Sequence, residues 1–81
     1  MNGAPELVAA AHRVEQEEAN IKAAIDRVTA KAVRALAVIR QEGCLLLSGQ
    51  CSQYYDKKEA QDTAMGLMGG VCIIINKIQV K

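Results

Sequence analysis

Apolar residues change their spacing twice along this chain of 81 residues. From Pro5 to about Lys31 they are spread among Ala, Glu, Gln, Lys and Arg, residues that favour helix. Pro5 suits a first helical position. Leu7, Val14, Ile21 and Val28 recur every seven residues. Ala11, Ile25 and Ala32 fall on companion positions, and Glu18 interrupts that row. The spacing predicts an amphipathic helix laid on a sheet. A helical dimer seam is the alternative; it needs sustained heptads, and Glu17-Glu18 weighs against it.

After Val33 the pattern shortens. Arg34 to Gln41 and Cys44 to Cys51 are apolar-rich runs of strand length, joined by Glu42-Gly43, where glycine accepts the positive φ of a hairpin. Ser52 is expected to cap the next helix through its hydroxyl. That helix runs to about Met68, with Ala60, Ala64, Leu67 and Met68 on one face, and Gly69-Gly70 ends it. Val71 to Val80 is the third strand and the strongest β signal in the chain. The order α-β-β-α-β in so short a chain implies two layers around one core. The expected fold class is α+β: a two-layer α/β sandwich whose three-stranded mixed sheet carries both helices on one face. The first helix is expected to have a frayed polar beginning.

Composition narrows the picture. The chain has no Phe or Trp, so its core must come from Val, Ile, Leu, Ala and Met. A domain this small buries only about 60% of its unfolded surface, and a partner could add burial. The net charge of +1, with both signs interspersed, disfavours a dedicated nucleic-acid binder, which carries a basic face. Met1 to Glu6 lacks the basic-then-apolar pattern of a secretory signal. Cys44, Cys51 and Cys72 cannot all pair within one chain; they read as reduced, apolar-like residues, which favours a reducing, cytoplasmic setting.

The glycines and one asparagine carry a resemblance. Gly43-Cys44-Leu45-Leu46-Leu47-Ser48-Gly49, a helix opening near Ser52, Gly70-Val71, and Ile74-Ile75-Asn76-Lys77-Ile78-Gln79-Val80 together resemble the pattern of the BON domain, the bacterial osmotic-shock and nodulation domain. Tyr54-Tyr55-Asp56-Lys57 is similar to the helix opening of a subset of that family. The similarity runs from Ile21 to Val80, which implies a domain over residues 21–81 with residues 1–20 a polar helical extension. It departs at Gly69, where a Pro is usual, at Arg40, where an apolar residue is usual, and at Cys44 and Cys51. The resemblance implies a bacterial, non-enzymatic binding module of the kind proposed to bind phospholipid membranes or cell-envelope components, and it places many such domains in the envelope.

The residues themselves supply few chemical candidates. His12 is the single histidine; it reads as a solvated helix residue, and no Cys/His nucleophilic pair is apparent. No Cys-x-x-Cys knuckle is present, and strand alternation sends Cys44 and Cys72 to opposite faces, so neither a disulfide nor a zinc site is expected. No cofactor is expected. Gly66-Leu67-Met68-Gly69 matches the Gly-x-x-Gly loop of KH domains in letters, but Leu67 and Met68 read as core contacts of a helix end. Tyr54 and Tyr55 with Lys57 and Lys58 suit an interfacial contact with lipid headgroups. Gly49 shares a strand face with Leu45 and Leu47 and is expected to let a helix approach closely. Asn76 shares a face with Ile74, Ile78 and Val80, where its amide needs partners. The opposite sheet face would show Ala37, Ile39, Cys44, Leu46, Ile73 and Ile75, apolar where a solvated face is polar. The expected partner is a membrane or envelope surface, or else another protein, including a second copy in a homodimer.

Overall fold

The computed structural model describes residues 4–81, with side chains from Arg13 onward. Helix α1 spans Ala4–Val28, strands β1 and β2 span Arg34–Gln41 and Cys44–Cys51, helix α2 spans Tyr54–Met68, and β3 spans Ile73–Val80. The sheet order is β1-β2-β3. β1 and β2 are antiparallel, and β2 and β3 are parallel with Cys44 beside Ile73 and Cys51 beside Val80. The fold is thus a small α+β arrangement in the order α-β-β-α-β with a mixed sheet. A parallel neighbour needs a crossover, and α2 supplies it.

The core collects Ile21 and Ile25 of α1, Ala60, Ala64 and Met68 of α2, and the sheet residues Leu36, Val38, Leu45, Leu47, Cys51 and Ile78. The β2 and β3 members share one side-chain parity with their β1 partners, as a pleated sheet requires. The alanines of α2 are fully buried; their small side chains bring helix and sheet close.

Several boundaries differ from the sequence expectation. α1 ends at Val28, short of Lys31. The Thr29 hydroxyl donates to the Ile25 carbonyl at 2.7 Å. The backbone N–H of Lys31 then reaches back to Asp26 (2.8 Å) and that of Ala30 to Arg27 (3.4 Å). That is a Schellman ending, with Ala30 at φ 53° where glycine is commoner. The seven-residue stripe is not the buried stripe: Ile21, Ala24 and Ile25 are buried, whereas Val14 and Val28 are exposed. A single-helix contact with a sheet follows i, i+3, i+4 spacing, not heptads. The side chains of Leu7, Ala11 and His12 lie outside the described residues. α1 runs without a break past Asn20, and Ile21 is the first buried residue among those described.

Ser52 does not cap α2. The capping position is Gln53, with extended backbone and no side-chain bond to the helix. The Cys51 thiol instead donates to the Gln53 carbonyl at 3.2 Å. Ser52→Ala is therefore expected to leave stability within about 0.5 kcal/mol, where a true cap would lose about 1; thermal unfolding distinguishes the two. At the other end of α2, Met68 is buried but Leu67 is exposed, because it points off the face that Ala60 and Ala64 define. Gly69 ends the helix at φ 61°. β3 begins at Ile73, two residues later than expected, after an irregular turn through Gly70 and Val71.

On each edge of the sheet a side chain takes one outward N–H. On β1 the outward N–H of Arg40 donates to Glu18 Oε2 at 2.7 Å, and Arg40 Nε lies 3.3 Å from Glu17 Oε1. The acids that break the heptad pattern thus dock α1 on the edge strand, Glu18 through the Arg40 backbone and Glu17 through its guanidinium. On β3 the outward N–H of Ile78 donates to Asn76 Oδ1 at 3.1 Å. A group occupied in this way is lost to edge-to-edge pairing. Glu18→Ala is expected to lower stability by about 1 kcal/mol through the orphaned Arg40 N–H, and amide exchange at Arg40 should accelerate.

Candidate functional site

Two surfaces carry the residues singled out from the sequence. The first is the sheet face of the parity absent from the core. Register sets its residues in rows across the strands: Gln41, Cys44 and Ile73; then Ile39, Leu46 and Ile75; then Ala37, Ser48 and Lys77; then Arg34, Gln50 and Gln79. The row Ile39–Leu46–Ile75 is wholly apolar, the hairpin row sets Cys44 and Ile73 beside Gln41, and the two rows toward the far end are mostly polar. Ile73 is 70% exposed, Ile39 43% and Ile75 36%, while Ala37, Cys44 and Leu46 are half-buried beneath them. Cys44 Sγ sits 3.6 Å from Gln41 Oε1. A face left to water would carry polar residues in the central rows.

The fourth row exists because of a bulge. The register slips between Arg34 and Ala37, and Ala35 there has φ 54°. The extra residue brings Arg34 opposite Gln50, on the apolar side of the sheet. Simple alternation from Ala37 and Ile39 would place Arg34 on the other side, so the sequence pattern alone misses this charge.

The second surface is the start of α2. Tyr54 and Tyr55 are 67% and 64% exposed. Lys57 is half-buried, and Lys58 is exposed but paired with Asp62 at 2.9 Å. That hydrogen bond and charge hold the Lys58 ammonium above its usual pKa. The Glu59 carboxylate beside Tyr55 likewise raises its phenol. Between Tyr54 and Asp62 the sequence has two lysines against three acids. The tyrosines are therefore displayed, but the charge around them is not basic.

The remaining candidates have structural placements. Gly43 turns the hairpin at φ 79° and Gly70 the loop before β3 at φ 83°, both in open space. Gly49 makes a close approach, though to a strand and not to a helix. A Cβ there would lie 2.8 Å from the Arg34 carbonyl oxygen and 3.0 Å from Val33 Cγ1, because the bulge folds the start of β1 over it. Asn76 ties β3 to α2: its amide donates to the Lys57 carbonyl (3.0 Å) and to Gln61 Oε1 (3.3 Å). The three cysteines are free thiols in three settings: Cys51 fully buried, Cys72 packed against the core, and Cys44 on the apolar face. No family model, no curated protein and no solved structure matches this chain.

Proposed function

We propose that this chain is a non-enzymatic binding module of the BON-like kind, and that it contacts another protein through the apolar sheet face. In this reading both helices cover the opposite face, since residues of both join the single core cluster. The observation that carries it is the pair of rows Cys44–Ile73 and Ile39–Leu46–Ile75, apolar yet outside the core. Contiguous apolar surface of this kind marks contact sites. The occupied outward N–H groups of Arg40 and Ile78 support the same choice, because they disfavour strand addition at either edge.

A membrane contact through Tyr54 and Tyr55 is the second reading, favoured by their exposure. The acids around them weigh against it, since attraction to an anionic surface grows by only about 1 kcal/mol per basic residue.

A photo-cross-linking amino acid placed at Leu46, and separately at Tyr54, tests the choice in cells that express the chain. An adduct of protein mass from position 46, with none from position 54, is the expected result. Lipid adducts from position 54 with none from 46, and vesicle binding lost on changing Lys57 and Lys58, would overturn it in favour of the membrane.

A further inference from the structure

We infer that the occupant of the sheet face is a second copy of this chain, stacked face to face with its strands antiparallel; this rests on the reading of that face as a protein-contact surface. The face is electrically polar along the strands. Glu42 stands at the hairpin end, beyond the row of Cys44 and Ile73, while Lys77 and Arg34 stand in the two rows at the other end. A two-fold axis across the strands, passing over Leu46, lays the row Ile39–Leu46–Ile75 on its own copy. The same operation brings Glu42 of each copy to Arg34 of the other. It also sets Ile73 over the aliphatic stem of Lys77, which can cover apolar surface and keep its ammonium in water.

The other face-to-face symmetry, with the axis along the strands, gathers Arg34 and Lys77 of both copies at one end and both Glu42 at the other. Like charges then oppose at each end, so the charge pattern selects the antiparallel pair. A self-complementary patch is what a two-fold interface requires.

Size sets the strength. Eight-residue strands rising about 3.3 Å per residue, three of them about 4.8 Å apart, give a flat footprint on the order of 370 Å² a side. That is below the roughly 800 Å² per partner of a standard stable interface. The pair is reversible, forming as concentration rises.

Sedimentation of the full chain from dilute to millimolar concentration is the test. A reversible monomer–dimer equilibrium is expected. Glu42→Arg should weaken it about three- to tenfold, since each ion pair occurs twice in the dimer and reverses to repulsion. Adding Arg34→Glu to Glu42→Arg should restore it to within about twofold. Orientation is read by disulfide capture with Cys44 and Cys72 replaced by serine. Ile73→Cys mixed with Lys77→Cys should cross-link, and neither should cross-link with itself.

Cross-linking of Ile73→Cys with Gln41→Cys, the pair that an axis along the strands over β2 brings together, or a double charge variant no tighter than Glu42→Arg, would overturn the antiparallel pair. A monomer at every concentration would overturn the second copy. If that monomer still binds an apolar fluorescent dye that Leu46→Lys fails to bind, the face remains a contact surface for another protein. If both bind the dye equally little, the face reading itself falls.

Discussion

Gly49→Ala is expected to destabilise the fold by about 2–4 kcal/mol, through overpacking and backbone strain together. The added methyl would meet a backbone oxygen, that of Arg34, at 2.8 Å, and the Cα of Leu36 at 3.3 Å. Neither belongs to a flexible side chain that could swing aside. The φ of 148° is itself a value that residues with a Cβ rarely adopt. Relief would require the bulge at Arg34–Ala37 to open, and with it the packing of Val33 and Leu36, both buried. Urea unfolding measures the loss. Gly43→Ala is the comparison: its site is open space, so only the positive φ of 79° is penalised, and about 1 kcal/mol is the expected cost.

Asn76→Ala should be the second largest, at about 2–3 kcal/mol. Three hydrogen bonds end on this one amide: two donated to α2 and one accepted from the Ile78 N–H. A net bond contributes about 1 kcal/mol, and an unpaired group left behind costs more. The variant should also expose the β3 edge, so faster amide exchange at Ile78 and a greater tendency to aggregate are expected. Asn76→Asp separates the two functions of the side chain. It keeps an acceptor for Ile78 but sets a carboxylate against the Lys57 carbonyl. Ile78 should then stay protected while global stability falls.

The strands and the second helix were legible because their signals are local: alternating apolar runs, Gly43 in a turn, Gly69 after a helix. Asn76 was legible as a buried-parity amide in need of partners, though not which partners, since Lys57 and Gln61 meet it only after the crossover folds. Glu17-Glu18 and Arg40 looked like defects in two separate patterns. They resolve into one contact on the edge strand between residues 22 or 23 positions apart, and no local pattern encodes that distance. Ser52 failed as a cap for a simpler reason: the helix starts a residue later than its hydroxyl would need. The parity of the apolar face was readable from period two alone. Arg34 on that face was not, because a bulge changes the count.

The central claim is that the face bearing Ile39, Leu46, Ile73 and Ile75 is reserved for contact and is not needed for the chain to fold. Denaturant unfolding of the Ile73→Lys/Ile75→Lys double variant at high dilution tests it most directly. The account predicts a stability within about 1 kcal/mol of the unaltered chain, the scale of strand preference at exposed positions, together with loss of the protein contact made from position 46. A loss at dilution of about 2–5 kcal/mol, the scale of a truncated core residue, would show that these side chains serve the fold itself and would contradict the account.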